Sequence, residues 1–362
     1  MQYSLDNLAA ALTNGADLVD DSFVLQLGEC RLAVYSNSGE LITHLRTYFS
    51  HALGEPVDVD VRILAIERDE PQLGIDFVDW KREPGKTGRK DSYADFPGAR
   101  LVRKVRTGMV FLQSTTHAIA AGACMQHDNQ VINFINAQYM NWLQQRDWFI
   151  CHAAGLVSHG KTLGIAGLSG GGKSTLMLKL LEKPGVAYLT NDRLFIRREK
   201  SLVQAAGIPK LPRINPGTIV NNTRLHPLIN AAERKRLLAL PRDELWDIED
   251  KYDVMIEQLY GPGHMASDSP LSAFLVLNWQ RNSDAPLQMK AIDLAQRPDL
   301  LGAIMKSPGP FMQYRDGTFL MDDQAIDPQP YLALLRDIPV YEASGGINFD
   351  ALQDYVLREL LT

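Results

Sequence analysis

The first 145 residues show apolar and polar positions in the pattern of a small α+β domain. Residues 1–20 and 38–53 place apolar side chains at helical spacing, and residues 131–146 predict a third helix. Strand patterns lie at residues 23–27, 31–35, 57–65, 101–105 and 109–113. Residues 66–98 are polar and predict an exposed loop or a hairpin. We therefore assign residues 1–145 to an N-terminal α+β domain of unknown role.

A second set of patterns begins near residue 148 and predicts an α/β domain over residues 148–362. Apolar strand patterns lie at residues 154–157, 163–166, 186–189, 194–196 and 274–277. Helices are predicted at residues 298–306 and 349–361. Between these elements, residues 207–270 contain many prolines and charges. That composition is typical either of loops that face a substrate or of an ordinary surface loop without a role in function.

A glycine-rich segment joins one predicted strand to a predicted helix. Residues Gly167 to Ser174 fit G-x-x-x-x-G-K-[ST], the P-loop or Walker A pattern. Its backbone N–H groups can surround an anion, Lys173 can reach the β- and γ-phosphates, and Ser174 can ligate Mg²⁺. The positive end of the following helix adds to this attraction. The predicted nucleotide-binding residues are Gly167, Ser169, Gly170, Gly171, Gly172, Lys173, Ser174 and Thr175.

The same pattern occurs a second time, immediately upstream. Residues Gly155 to Thr162 also satisfy it, but the segment after Thr162 contains two glycines and is a poor start for a helix. The segment after Lys173 is rich in helix formers and is stopped by Pro184. We therefore predict that residues 155–162 form a hairpin and that the true P-loop begins at Gly167.

Composition and charge narrow the class of protein. The chain has 45% hydrophobic and 22% charged residues and a net charge of −6, values of an ordinary globular protein without a nucleic-acid footprint. Three cysteines are an odd number without metal-type spacing, as expected for reduced thiols in the cytoplasm. The residues after Met1 lack a signal-peptide pattern and no apolar run approaches the length of a membrane span, so we expect neither a signal peptide nor a membrane-spanning helix. We expect a cytoplasmic protein that binds neither nucleic acid nor membrane, and whether it forms a homo-oligomer stays open.

Two further residues are candidates for chemistry on a nucleotide. Asp192 follows the first strand after the P-loop helix, which is where an acid that holds Mg²⁺ belongs, although an aspartate that opens a turn is the alternative. His152 precedes the predicted hairpin and is either a structural imidazole or a proton shuttle. Only one helix and one strand separate Lys173 from Asp192, and this compact order points to a narrow class of P-loop enzymes.

Taken together, three segments resemble HPr kinase/phosphorylase and its diverged HPr kinase-related relatives. The segments are residues 151–157, the P-loop and residues 189–192, and the resemblance is firm over residues 148–200. It implies a P-loop kinase domain of the HPr kinase and phosphoenolpyruvate carboxykinase type, preceded by a smaller α+β domain. It also implies that His152 is the active-site histidine and Asp192 the second member of the family's acidic pair. Asn191 stands at the first position of that pair, where an amide cannot accept a proton as a carboxylate does.

The resemblance implies an ATP- and Mg²⁺-dependent phosphotransferase that moves the γ-phosphoryl group to a hydroxyl acceptor, with a protein serine as one candidate. Ser174 and Asp192 would hold the metal, and His152, Asp192 and Asn191 would form the catalytic group. Lys210 and Arg213 are weaker candidates for contacts with substrate or phosphates. Two alternatives stay open, a nucleotide-binding regulator with degenerate transfer chemistry and a small-molecule kinase.

Overall fold

The computed structural model describes residues 4–82, 87–168, 171–241, 244–245, 248, 250–280 and 282–361. In this part of the chain the protein is a mixed α/β structure with two large sheets. The chain divides into two compact units, one made of Met1–Asp147 and Ser307–Ile326 and the other of Trp148–Lys306 and Asp327–Thr362. We refer to Ser307–Ile326 as the return segment. It belongs to the first unit, although it lies within the range 148–362 that the sequence assigns to the P-loop domain.

The first unit is built on one nine-stranded sheet with the order β3-β1-β2-β4-β9-β8-β7-β6-β5. Its strands are β1 Phe23–Leu27, β2 Cys30–Ser36, β3 Leu53–Gly54, β4 Val61–Glu67, β5 Val78–Asp79, β6 Asp91–Phe96, β7 Ala99–Lys104, β8 Val110–Ser114 and β9 Ala118–Gly122. Its helices are α1 Leu5–Thr13, α2 Gly39–Tyr48 and α3 Asp128–Gln144, with a 3-10 turn at Ser50–Ala52. Strand β4 pairs in parallel with β2 and β9, and the other neighbours pair antiparallel.

Both faces of this sheet are covered. On one face, Leu8 and Leu12 of α1 pack against Leu112 and its neighbours in the sheet. Phe111 is adjacent to Leu112 and therefore points to the opposite face. There its ring lies 5.0 Å from that of Phe134 in α3. The unit thus has a helix on each side of a central sheet.

The second unit also has a mixed sheet, with the order β10-β14-β15-β18-β12-β11-β13. Its strands are β10 Phe149–Cys151, β11 Ala153–Ser158, β12 Lys161–Gly167, β13 Val186–Thr190, β14 Leu194–Glu199, β15 Leu202–Ala206, β16 Arg213–Ile214, β17 Tyr252–Asp253, β18 Asp268–Leu277, β19 Gln288–Ile292 and β20 Val340–Ser344. Its helices are α4 Lys173–Leu181, α5 Pro216–Val220, α6 Ala231–Leu238, α7 Ile256–Tyr260, α8 Pro298–Ile304, α9 Gln329–Leu335 and α10 Phe349–Glu359, and 3-10 turns lie at Thr223–Leu228 and Leu294–Gln296. Strand β20 pairs with both β18 and β19, and β16 pairs with β17 in a separate ribbon.

Strand directions bring several chain segments to one edge of this sheet. Strands β12 and β13 both run antiparallel to β11, which lies between them. Their carboxyl ends and the amino end of β11 therefore meet at the same edge. Strands β18 and β20 run parallel to β12 and end at that edge as well. The residues that follow or precede these strand ends are consequently brought together.

The hairpin predicted for residues 155–162 is confirmed. Strands β11 and β12 pair antiparallel up to Ser158 and Lys161. The two residues between them, His159 and Gly160, have φ values of 49° and 71°. Positive φ at both positions is what a two-residue type I′ turn requires. The upstream copy of the G-x-x-x-x-G-K-[ST] pattern is therefore a turn between strands, and no helix follows it.

No described helix is long and apolar enough to cross a membrane. The three cysteines, Cys30, Cys124 and Cys151, are free and buried. Burial raises the pKa of each thiol well above its ordinary value, so these side chains act as small apolar groups in the core.

Candidate functional site

The downstream glycine-rich segment has the strand-to-helix context that a P-loop needs. Strand β12 ends at Gly167 and helix α4 begins at Lys173, with Gly172 as its N-terminal cap residue. Gly172 has φ +85°, and a Cβ there would lie 2.6 Å from the ring of Phe349, so both backbone and space require glycine. Ser169 and Gly170, predicted to bind the nucleotide, lie outside the described residues.

The three residues that open α4 make polar contacts at the sheet edge. The Lys173 ammonium donates to the carbonyl oxygen of Gly167 at 3.0 Å. The Ser174 hydroxyl donates to Oδ1 of Asn191 at 2.8 Å, and the Thr175 and Thr218 hydroxyls are 3.0 Å apart. Burial lowers the pKa of Lys173 to about 8, which marks a charged group held largely out of water.

Asp192 lies between two basic side chains. It follows β13, and its Oδ1 is 3.1 Å from Nε2 of His152, which precedes β11. Its other carboxylate oxygen is 3.2 Å from the Lys306 ammonium. The structure therefore brings His152 and Asp192 together, as the antiparallel arrangement of β11 and β13 requires. Burial by itself acts to raise the pKa of Asp192, but the hydrogen bond from His152 and the charge of Lys306 outweigh it, so the pKa lies well below its usual range.

The charge of Asp192 fixes the tautomer of its histidine partner. An ionised carboxylate can only accept hydrogen bonds. Nε2 of His152 must therefore carry a proton to donate to Asp192. In a neutral His152, Nδ1 is then the nitrogen that can accept a proton from a hydroxyl group.

Lys306 is a residue of the site that no sequence pattern indicates. The pattern predicts a helix over residues 298–306, and a basic residue at its end is ordinarily explained by the helix dipole. Helix α8 instead ends at Ile304, and the carbonyl of Ile304 accepts a hydrogen bond from the backbone N–H of His152 at 2.7 Å. That contact brings Lys306 beside Asp192. No local sequence signal indicates a contact between residues so far apart along the chain.

Two aromatic residues that no sequence pattern indicates contact the glycine-rich loop. Trp279 follows β18, and its indole N–H donates to the carbonyl oxygen of Gly171 at 2.8 Å. Its ring meets that of Phe349 edge to face, with centroids 4.9 Å apart. Both rings lie close to the position that a Cβ on Gly172 would occupy. The two rings therefore contact the loop at Gly171 and Gly172.

A cavity of about 1000 Å³ opens at this edge and is lined by the candidate residues. Its walls include His152, Lys173, Ser174, Asn191 and Asp192. Among the described lining residues, the basic side chains outnumber the acidic ones: Lys173, Lys179, Arg193, Lys210, Arg213 and Lys251 against Asp192 and Asp350. An excess of positive charge in a cleft attracts polyanions such as a nucleoside triphosphate. Lys210 and Arg213, weaker candidates from the sequence, are thus part of the same cavity.

The donor set at the edge fits Mg²⁺. Ser174, Asn191 and Asp192 offer hydroxyl, amide and carboxylate oxygens, the ligand type that this ion prefers. The described residues contain no group of three histidine, cysteine, aspartate or glutamate side chains that could hold a metal ion. A metal ion here would therefore take further ligands from nucleotide phosphates and water, as Mg²⁺ commonly does.

Comparisons with known proteins give little guidance. No protein-family model and no curated protein matches the chain. Among solved structures, the chain is similar to the HPr(Ser) kinase/phosphatase from Coxiella burnetii, with a TM-score of 0.28 and 14% sequence identity. The match covers 59% of this chain and 90% of that protein. A likeness this distant carries no argument about function.

Proposed function

We propose that the protein is an ATP- and Mg²⁺-dependent phosphotransferase of the HPr kinase-related type, which moves the γ-phosphoryl group of ATP to a hydroxyl acceptor. One observation carries the proposal. At a single sheet edge, a P-loop with Lys173 and Ser174 shares one cavity with a hydrogen-bonded His152–Asp192 pair. The first group is suited to hold a triphosphate and the second to handle the proton of an alcohol.

In the proposed reaction, the acceptor oxygen attacks the γ-phosphorus and the bond to the β-phosphate oxygen breaks, leaving ADP. The acceptor proton passes to Nδ1 of His152, and Asp192 stabilises the imidazolium through Nε2. Lys173 and the loop N–H groups hold the phosphates in line. Mg²⁺, bound with the nucleotide near Ser174 and Asp192, would neutralise part of the negative charge of the phosphates.

A specific observation favours a second candidate, a nucleotide-binding regulator that has lost transfer. Asn191 stands at a position where the family that the sequence resembles has an acid, and its amide oxygen accepts a hydrogen bond from the Ser174 hydroxyl. Both carboxylate oxygens of Asp192 also face basic side chains. An active site in this arrangement depends on His152 as the proton acceptor.

Transfer is tested with γ-labelled ATP and Mg²⁺ in a lysate of the source cell. We expect a labelled protein or metabolite with the wild type and a loss of about 100-fold or more with Lys173→Ala. The matched control is Lys161→Ala, which removes the lysine of the upstream copy of the motif and should label as wild type does. Label that is absent, or that survives Lys173→Ala, contradicts the kinase proposal.

Asn191→Asp separates the two candidates. A large gain in labelling over the wild type would favour the degenerate regulator, because the missing acid alone would then limit transfer. A loss of labelling would mean that the amide is adapted to this site, as an active kinase requires. ATP affinity, measured by calorimetry on the same variant, shows whether the change affects binding or transfer.

A further inference from the structure

Asp192 is contacted on both carboxylate oxygens by basic side chains. Oδ1 lies 3.1 Å from Nε2 of His152, and Oδ2 lies 3.2 Å from the Lys306 ammonium. The Lys306 side chain is only 16% exposed. The ammonium is therefore a largely buried partner of the carboxylate, unlike the lysine of an exposed ion pair, whose side chain moves freely into water.

The backbone fixes where Lys306 and His152 stand. Met305 and Cys151 form an antiparallel bridge, and the N–H of His152 donates to the carbonyl oxygen of Ile304 at 2.7 Å. Lys306 and His152 each directly follow one member of this bridge. Their side chains thus reach Asp192 from two backbone segments that are paired with each other. We call His152 and Lys306 the Asp192 clamp.

The clamp makes Asp192 a poor direct ligand for a metal ion. A divalent ion bound to this carboxylate would lie about 2.1 Å from one of its oxygens, and hence only a few ångströms from the Lys306 ammonium. The two positive charges would repel each other across the same carboxylate. The negative charge of Asp192 is instead available to the imidazole of His152.

A second pair of oxygens at the same sheet edge has the spacing of metal ligands. Oγ of Ser174 and Oδ1 of Asn191 lie 2.8 Å apart. Adjacent ligands of an octahedral Mg²⁺ with bonds of about 2.1 Å are separated by about 2.9 Å. The amide oxygen has a second lone pair, and the hydroxyl can turn its proton away when a cation binds. Since both groups are uncharged, an ion held by them depends on phosphates for negative charge.

We propose that Lys306 keeps Asp192 in its hydrogen bond with His152 and away from the metal, and that Mg²⁺ is held instead by the uncharged pair Ser174 and Asn191. This inference rests on the proposed transfer function and specifies how its site is divided. Lys306 is a positioning residue, because it acts through Asp192. Asn191 is then an adapted metal ligand, and the protein takes up Mg²⁺ only together with a triphosphate.

The test of the ligand pair uses the full-length protein and Mn²⁺, whose free concentration is measured by electron paramagnetic resonance. We expect the wild type to bind Mn²⁺ weakly alone and much more tightly with a non-hydrolysable ATP analogue. Asn191→Ala should raise the Kd of Mn²⁺ in the presence of the analogue about tenfold, and leave the Kd of the metal-free analogue unchanged. Asn129→Ala, at an exposed asparagine of the first unit, is the control.

The test of Lys306 uses Mn²⁺ without nucleotide. Lys306→Met should lower the Kd of Mn²⁺ about tenfold or more, because Asp192 then becomes available as a ligand. Lys306→Arg keeps the charge and should bind as the wild type does, and so should Lys183→Met, at an exposed lysine. Adding Asp192→Asn to Lys306→Met should abolish the gain. A lysine that only supported the fold would not weaken metal binding, and circular dichroism checks the fold of each variant.

The two tests separate failure of the inference from failure of the proposed function. Mn²⁺ binding with the analogue that Asn191→Ala leaves unchanged shows that Asn191 is not a ligand, and overturns the inference. A Lys306→Met variant that binds Mn²⁺ no more tightly than the wild type overturns it as well. If the analogue does not bind to the wild type, the proposed function fails, and the nucleotide-free measurement still decides whether Lys306 keeps a metal from Asp192.

Discussion

Lys210 provides a test of electrostatics at the scale of one residue. Burial, reinforced by Arg193, lowers its pKa from 10.5 to about 7 in the folded protein. Below pH 7 the folded and unfolded states both bind the proton, and the full cost of burying the charge is present. Between about pH 7 and pH 10 the unfolded state binds more protons, so stability rises with pH. We therefore predict that Lys210→Met stabilises the protein, and does so more at pH 6 than at pH 9.

The measurement is urea denaturation of wild type and Lys210→Met at both pH values. Lys183→Met serves as the control, because Lys183 is exposed and should give the same small difference at each pH. A Lys210→Met variant whose stability relative to wild type does not change with pH would show that Lys210 keeps its ordinary pKa.

Arg100 is the second residue that carries a strong prediction. Its side chain is 0% exposed, forms two hydrogen bonds to the carboxylate of Asp95, and lies 4.6 Å from the ring of Tyr93. It also donates to the carbonyl oxygens of Pro310 and Leu320 in the return segment, at 3.1 and 2.9 Å. Lysine cannot reproduce this planar set of donors. We predict that Arg100→Lys lowers the free energy of unfolding by about 3 kcal/mol, measured by urea denaturation at neutral pH.

The control for this variant is Arg89→Lys. Arg89 also pairs with an aspartate, Asp79, but its side chain is 63% exposed, and exposed ion pairs contribute about 0–1 kcal/mol. Equal losses for the two substitutions would contradict the role that we assign to the buried guanidinium.

Residues close together in sequence were easier to predict than those that meet only in the fold. The P-loop pattern specifies Lys173 and Ser174 by spacing, and Asp192 follows the next strand, so local rules were enough to name them. Lys306 and Trp279 reach the site only through α8 and β18, whose positions depend on long-range pairing. No local pattern distinguishes a lysine near a helix end, or a tryptophan after a strand, that belongs to a site from one that does not.

At the scale of elements, the turn from β12 to α4 makes a sharp prediction. Gly172 has φ +85° and Phe349 lies 2.6 Å from where its Cβ would be, whereas Gly185 has φ +78° and nothing within 4 Å. Alanine at Gly185 therefore meets only backbone strain, about 1 kcal/mol. Alanine at Gly172 meets strain and a clash, about 3 kcal/mol in total. Urea denaturation measures both, and affinity for the ATP analogue should fall only for Gly172→Ala.

A double variant separates the two causes. Phe349→Leu shortens the side chain that Gly172→Ala would strike, so the combined variant should recover part of the lost stability, though not the part that arises from φ. No recovery would mean that the clash with Phe349 is not what excludes a side chain there.

The element order of the second unit was partly predictable. The sequence specified the hairpin of β11 and β12 because Ser158 to Lys161 has a recognisable turn pattern. It did not specify that β13 pairs on the far side of β11, an arrangement that brings Asp192 to His152. Pairing partners depend on which apolar faces meet, and strands of similar composition do not reveal that individually.

At the scale of the whole molecule, the return segment makes the first unit discontinuous in sequence, because part of its packing comes from residues that follow most of the second unit. Phe311 packs against the rings of Phe111 and Phe134, with centroids 5.6 and 5.2 Å away, and Met312 and Leu320 are buried. We predict that a fragment of residues 148–362 exposes these apolar side chains, binds a hydrophobic dye such as ANS, and associates during size-exclusion chromatography. The same fragment with Phe311→Ser and Leu320→Ser should bind less dye. A monomeric wild-type fragment that binds no dye would contradict the prediction.

The return segment also constrains how the protein is made. A ribosome releases Met1–Asp147 first, but the partner of Arg100 at Leu320 emerges only after the strands and helices of Trp148–Lys306 have followed. The earliest part of the chain to be synthesised is thus among the last to reach its final packing. Arg100 can pair with the carboxylate of Asp95 early, but its hydrogen bond to Leu320 can form only after nearly the whole polypeptide has been translated.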